Sequence, residues 1–178
     1  MMSTATISIQ RSCTAQATIA TPLGPLLLAR TARGLAGAWF EGQADHPGAL
    51  DAPQGPDDAL LQSAAAQLID YFAGRSTCFD LPLDLHGTPF QRHVWQALLG
   101  IARGRTRSYG EIARDVGSAA AVRAVGAAVG KNPLSVIVPC HRVIGSRGAL
   151  TGYAGGLARK RALLALEGVA VQSGKEFA

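Results

Sequence analysis

The chain has 178 residues, enough for one domain or two small ones and for a core that needs no disulfides. With 48% hydrophobic and 16% charged residues it reads as globular rather than disordered, and no apolar run approaches the ~18 residues of a membrane span. The net charge of +5 is unevenly spread: residues 1–88 carry four Lys/Arg and eight Asp/Glu, residues 89–178 thirteen and four. An acidic first half thus precedes a basic second half, which either meets a polyanion or simply solvates its helices. The opening MMSTATISIQ lacks the apolar stretch of a secretory signal, so the cytosol is the expected compartment. About 15 residues read as a loose terminus that includes Cys13. Thr18 to Phe40 reads as a small antiparallel sheet, with a turn at Pro22-Leu23-Gly24-Pro25, an apolar run Leu26–Ala29, a second turn at Gly34 and another run Leu35–Phe40. Glu41 to Asp58, rich in Gly, Pro and Asp, reads as a loop. Leu60, Leu61, Ala64, Ala65, Leu68, Ile69 and Phe72 share a helical face, and Gly74 sits where a helix would end. Residues 77–87 read as a short strand or linker, and the domain boundary is placed here, giving 1–86 and 87–178.

The second half is more sharply punctuated. Thr88, Pro89 and Gln91 supply an N-cap, a first-turn proline and a capping-box partner. Phe90, Val94, Ala97, Leu98 and Ile101 form the apolar stripe of that helix. Ser108 and Glu111 make a second capping box ahead of a short helix through Ile112 and Val116. Gly117-Ser118 turns the chain, and Val122, Val125 and Val129 mark a third helix. Two short helices around a glycine have the spacing of a helix-turn-helix, a common arrangement that is weak evidence alone. The later helix is slim (Ala121, Ala124, Gly126, Ala127, Ala128), suited either to a groove wall or to tight packing. Arg123 falls off its valine stripe and faces outward, where an arginine is ordinarily just solvated. Leu134–Val138 is expected to be a buried strand ending at Pro139. Thr151–Gly156 is a glycine-containing loop, and Leu157–Leu166 a final helix, basic at its start, with Gly168 beyond its end.

Several features lead nowhere. Gly126 to Asn132 resembles a phosphate loop but has three residues between its glycines instead of four, and Asn132 where magnesium needs Ser or Thr. His46, His86 and His93 have no metal-ligand spacing with the cysteines. The odd cysteine count without a CxxC pair argues against a disulfide framework and a four-cysteine zinc site, so no metal or cofactor is expected. Cys78 beside Phe79 reads as packing, and Cys13 as incidental. Cys140-His141 differs, because a proline-imposed turn after a buried segment can present a thiol and an imidazole to one cavity. A free thiol has a pKa of about 8.5 and needs a base to react at neutral pH. Of the four carboxylates in the basic half, Glu111 serves as a cap and Asp115 lies beside the turn. Glu167 at the end of the last helix is the best third member. A lone Cys-His pair is nonetheless more often structural.

Pro139-Cys140-His141-Arg142-Val143-Ile144-Gly145 resembles the active-site motif of the O6-alkylguanine-DNA alkyltransferases (methylated-DNA–protein-cysteine methyltransferases). The resemblance runs from about Gly87 to Gly168 through GTPFQRHVWQALL, TRSYGEIA, VRAVGAA, Asn132-Pro133, LTGYAGG and LALEG, and TPLGPLLLA and GLAGAWF extend it to the first half. It implies an α+β chain: a small N-terminal antiparallel sheet plus helix (ribonuclease-H-like), then a mostly helical, winged helix-turn-helix-like DNA-binding domain. It implies irreversible transfer of the alkyl group from O6-alkylguanine, and from O4-alkylthymine, in double-stranded DNA to Cys140, once per molecule, by a monomer. In that scheme His141 deprotonates Cys140 through a water and Glu167 orients His141. Tyr109 presses on the 3′ phosphate of the target nucleotide, and Arg123 fills the space it vacates, on a DNA-binding surface with Ala124, Gly126 and Lys131. Asn132 braces the turn before the active site. Tyr153, Ala154 and Gly155 line the guanine pocket, and the carbonyls of Cys140 and Val143 accept hydrogen bonds from the base. The chain departs from many relatives in lacking a proline at Ile101–Gly104 and at Ser118–Ala120, and in having Val129 where Asn is frequent. A DNA-binding relative without chemistry would lack Cys140, a plain transcription factor would not need the Cys-His-Glu set, and a cysteine hydrolase would turn over repeatedly.

Overall fold

A computed structural model describes residues 9–170. Three strands, β1 (Ala15–Ile19), β2 (Leu26–Arg30) and β3 (Leu35–Phe40), form an antiparallel sheet in the order β1-β2-β3. Thr21 closes the first turn, its hydroxyl accepting from the Leu23 N–H and donating to the Gly24 carbonyl, and Gly24 supplies the φ of +108° that the turn requires. β1 begins at Ala15, three residues before the expected start. All of β3 is buried because the sheet is covered on both faces. Leu26, Leu28, Ala38 and Phe40 face the main core, whereas Ala29, Ala36 and Trp39 pack on Ile9, Cys13, Leu50 and Ala52; the two-residue alternation of the strands is interrupted by a register shift between Ala29 and Arg30, which leaves Ala36 on the same face as Trp39. Trp39 lies across Gly37, where a Cβ would meet its indole. Cys13 is therefore a packed core residue rather than part of a loose terminus, while Cys78, expected to pack, is exposed.

Helix α1 (Ala59–Phe72) is capped by Asp58, whose carboxylate accepts from the N–H groups of Leu60 and Leu61 and pairs with Arg30 on β2. Its buried stripe is Leu61, Ala64, Leu68 and Tyr71. Ile69, expected on that face, is 52% exposed, and Tyr71 takes the next buried position. Gly74 adopts φ +73° just past the helix end, as expected.

The second half contains α2 (Pro89–Leu99), α3 (Tyr109–Asp115), α4 (Val122–Gly130) and α5 (Leu157–Leu166), with a parallel pair of two-residue strands, β4 (Arg107–Ser108) and β5 (Val143–Ile144). Both expected capping boxes, Thr88/Gln91 and Ser108/Glu111, are formed. Gly117 makes the turn between α3 and α4 at φ +71°. The Trp95 indole N–H donates to the Ala128 carbonyl at 2.8 Å and locks α2 to α4. One continuous apolar cluster joins the two halves, from Leu28, Phe40 and Tyr71 through Val138 and Cys140 to Val125 and Leu163.

Leu134–Val138 is not the strand its composition predicts. Only Leu134 bridges to β3, at Ala38, and the remainder is a tight buried turn with Val136 at φ +73°. Asn132 explains it. Its side-chain oxygen accepts from the Leu134 N–H at 2.9 Å, and its amide donates to the carbonyls of Leu134 and Val138. A side chain thus satisfies backbone groups that a strand would pair with a neighbour. A short apolar run looks the same in either setting.

Candidate active site

The Asn132 turn delivers the chain to Pro139 and a single 3₁₀ turn, Cys140–Arg142, whose three side chains are all buried. Cys140 is 3% exposed, and its Sγ accepts a hydrogen bond from the Asn132 side-chain amide at 3.0 Å. Burial pushes this thiol above its ordinary value. The Asn132 amide, the Lys160 charge and the backbone N–H groups of Cys140 and His141 all pull the other way and would hold a thiolate once formed.

His141 points to a different partner. Its Nε2 lies 2.9 Å from Glu167 Oε1, an oxygen that can only accept from it, so the ring carries its proton on Nε2. Nδ1 is buried and has no hydrogen-bond partner among the described residues. Burial lowers the His141 pKa; Glu167 opposes this, whereas Arg142 and Lys160 reinforce it. Glu167 is the C-cap residue of α5. Arg142 grips its carboxylate in a fork, from Nε to Oε2 at 2.9 Å and from Nη2 to Oε1 at 2.8 Å. The Tyr71 hydroxyl donates to Oε1 at 2.6 Å. Burial would raise this carboxyl, but the hydrogen bonds from His141, Arg142 and Tyr71 overcome it and hold the group well below the usual carboxylate range.

Lys160 is wholly buried under the loop 151–156, donating to the carbonyls of Val143, Thr151 and Gly152, the last two at 2.8 and 3.3 Å. Burial lowers its pKa to about 8. The Val143 carbonyl therefore already accepts one hydrogen bond. Tyr109, the first residue of α3, donates through its hydroxyl to the Thr151 carbonyl at 3.2 Å, so this helix start is tied to the same loop. The Tyr153 ring lies over Gly155, where a Cβ would come within 2.6 Å of it. Burial and the neighbouring Cys140 and Tyr71 push its phenol well above the ordinary value, so it stays protonated. The first half anchors this loop: the Ala154 carbonyl accepts from the Ala44 N–H, and Arg159 links the carbonyls of Gly155, Leu23 and Glu41 while its guanidinium sits 4.7 Å from the Phe40 ring centre.

Cys140, His141, Glu167, Asn132, Val143 and Tyr153 thus converge on one buried region, with Tyr109, Ala154 and Gly155 at its rim. Arg123, Ala124, Gly126 and Lys131 do not join it. They lie on or just after α4, where Arg123, Ala124 and Lys131 are exposed and Gly126 is half-buried beside the Tyr109 ring. Arg123 has no hydrogen-bond or ion-pair partner among the described residues. No group of three or more His, Cys, Asp or Glu suited to a metal ion occurs among those residues. Sequence reasoning missed Tyr71, Arg142 and Lys160. A tyrosine three residues after Leu68 on a buried stripe needs a polar partner, and Lys160 lies three and four residues before the buried Leu163 and Leu164. Both signals were present in the periodicity.

Two protein-family models match: "6-O-methylguanine DNA methyltransferase, DNA binding domain" over residues 89–169 and "6-O-methylguanine DNA methyltransferase, ribonuclease-like domain" over residues 15–85. A methylated-DNA–protein-cysteine methyltransferase of Mycobacterium tuberculosis is 53% identical over 150 residues, covering 84% of this chain and 90% of the relative. One of Methanosarcina acetivorans is 47% identical over 150 residues, covering 83% and 94%. The crystal structure of Mycobacterium tuberculosis OGT in complex with DNA superimposes with a TM-score of 0.78 at 51% identity, covering 86% of this chain and 92% of the other. With both halves matched in order, the chain belongs to the methylated-DNA–protein-cysteine methyltransferase family.

Proposed function

We propose that Cys140 is the acceptor to which this protein transfers the alkyl group of O6-alkylguanine, and of O4-alkylthymine, in double-stranded DNA, once per molecule. The observation that carries the reading is the buried Cys140 thiol, held by Asn132 and followed directly by a histidine whose Nε2–H is committed to Glu167. That commitment leaves Nδ1 as the basic nitrogen. In the proposed step a water relays the thiol proton to His141 Nδ1. The sulfur then attacks the alkyl carbon in line, an S–C bond forms, and the C–O bond breaks with its electron pair going to guanine, which is neutralised by a proton. The thioether product has no positioned nucleophile to reverse it, so no second substrate is needed.

A thiol this deep reaches an alkyl group only if the base leaves the duplex, at a cost of a few kcal/mol that is smaller for a badly paired base. The exposed α4 face supports a matching division of labour. Arg123 enters the stack in place of the base, and Ala124 and Gly126 allow close approach. Lys131 contacts the backbone, and Tyr109 meets the phosphate 3′ to the target. Tyr153, Ala154 and Gly155 enclose the guanine, with the Cys140 and Val143 carbonyls as acceptors. We place the domain boundary between residues 86 and 87 and take the protein to act as a cytoplasmic monomer. The gap between the two matched segments, 15–85 and 89–169, supports the former.

The test is incubation with an excess of duplex containing O6-methylguanine, followed by intact mass and peptide mapping. One added methyl, on the peptide bearing Cys140, is expected, with product levelling off at one equivalent. Product formation that continues linearly beyond one equivalent, or a methyl on Cys78, would overturn the reading.

A further inference from the structure

Glu167 is held from two sides, and one of them belongs to the other half of the chain. Tyr71 on α1 lies 96 residues before Glu167, yet its hydroxyl donates to Glu167 Oε1 at 2.6 Å and sits 3.4 Å from His141 Nε2. Oε1 is the same oxygen that accepts the His141 N–H. The phenol is fully buried, with Phe72 edge-on at 5.5 Å, Phe79 at 5.4 Å and the Arg103 guanidinium 5.1 Å from its ring centre. These contacts leave it little freedom to turn away.

We propose that Tyr71 is a positioning residue for alkyl transfer, supplied by the N-terminal half, that tunes the basicity of His141 by sharing Glu167 Oε1. This rests on the proposed role of Cys140 and His141. Hydrogen bonds to a carboxylate drain charge from the oxygen that receives them. Each donor on Oε1 leaves less negative charge to stabilise an imidazolium, and so keeps His141 neutral with its Nδ1 lone pair available. The groups facing His141 are Glu167 and Lys160 from α5, Arg142 and Cys140 from its own turn, and Tyr71 from α1. Arg142 carries a permanent charge that serves stability as much as tuning. Tyr71 is neutral and does not ionise, because burial and Glu167 raise its pKa far above its ordinary value. It is therefore a donor at every working pH. The first half of the chain thus contributes directly to the proton relay and is more than a scaffold.

The experiment compares single-turnover transfer rates against pH for the intact protein, Tyr71→Phe and a variant carrying 3-fluorotyrosine at position 71. Phenylalanine keeps the ring and removes the donor, whereas fluorine makes the phenol a stronger donor in nearly the same shape. The limb on which the rate rises with pH reports deprotonation of His141. With phenylalanine it should move to higher pH by roughly half a unit or more, and the rate on that limb should fall several-fold. With fluorotyrosine it should move to lower pH. Opposite displacements cannot come from loosened packing, which would slow both variants at all pH values. If Tyr71→Phe does not fold, the fluorotyrosine displacement alone decides. Limbs that coincide with that of the unmodified protein, or that move in one direction for both variants, overturn the proposal. If the unmodified protein transfers no methyl group to Cys140, the reading of the site itself fails.

Discussion

The buried relay and the α4 face use polar residues in opposite ways. Around Glu167 every strong donor within reach is paired: Arg142 forks onto both oxygens, and Tyr71 and His141 share one of them. On α4, Arg123 and Ala124 are exposed, as is Lys131 just beyond it, and Arg123 engages no protein partner among the described residues. Charges buried in low dielectric must be satisfied inside the fold or they destabilise it. Charges left in water cost little and remain free for a polyanion. On the proposed reading the relay is thus built before any ligand arrives, while the α4 face would be completed by the DNA. Mutations should therefore separate the two regions cleanly, the first through chemistry and stability and the second through DNA.

The largest separation is expected at the sulfur. Cys140→Ala should abolish transfer, measured by mass, while retaining duplex binding, and Cys140→Ser should do the same because a hydroxyl is far less ionised than a thiol near neutral pH. Next comes Arg142→Ala, which strands the Glu167 carboxylate in the core. Removing one partner of a buried pair costs about 3–5 kcal/mol, so denaturant unfolding should show a loss of that order. A loss near zero would mean that the site relaxes to admit water. Glu167→Gln should slow transfer without moving the acceptor, since it weakens the orientation of His141. It should also change the response to acid. The folded pKa of Glu167 lies below the unfolded value of about 4.3, so its contribution to stability is present above that value and is lost as pH falls through the folded pKa. The stability gap between the native protein and Glu167→Gln should accordingly be widest near neutrality and close in acid. A gap independent of pH would refute the ionised relay.

Legibility in the sequence follows the same division. Local rules were enough for the caps at Thr88 and Ser108, the glycine stops at Gly74, Gly117 and Gly168, the outward direction of Arg123 and the helical stripes apart from Ile69 and Val122, which are exposed. Each depends on residues within one or two turns. The resemblance supplied the roles of Cys140, His141 and Glu167, and the fold brings His141 and Glu167 into direct contact. What stayed hidden depended on distant partners. Leu134–Val138 folds as a turn because one amide, Asn132, replaces the strand partner its composition predicts. Tyr71 looks like an ordinary aromatic until the halves dock and bring it to Glu167, and Lys160 looks like an ordinary solvated cation until its own half folds the carbonyls of Val143 and Thr151 onto it. Cys13 and Cys78 exchanged their expected places because a cysteine's burial depends on what covers it.

Arg123→Ala should be silent in unfolding experiments and visible on DNA. If the guanidinium replaces an extruded base, its loss should slow repair in duplex DNA while leaving reaction with a free alkylated guanine base unchanged. Equal losses on both substrates would assign Arg123 to the pocket instead and erase the contrast between the two regions.

Lys131→Ala should have the smallest effect and gives the sharpest test of the electrostatic half of the comparison. Binding through phosphate contacts weakens with salt, with a slope of roughly −0.9 in log K against log salt for each phosphate neutralised. The second half of the chain carries thirteen Lys/Arg against four Asp/Glu, but several of those cations are already engaged. Arg142 and Lys160 are buried, Arg107 pairs with Asp115 and Arg159 binds carbonyls. The slope should therefore reflect far fewer phosphates than the net charge implies. Removing Lys131, exposed at the end of α4, should lower it by about one unit and weaken all duplex sequences alike. An unchanged slope would place the DNA backbone elsewhere on the basic half. A fall of several units would mean that Lys131 organises the neighbouring cations rather than acting as one contact among them.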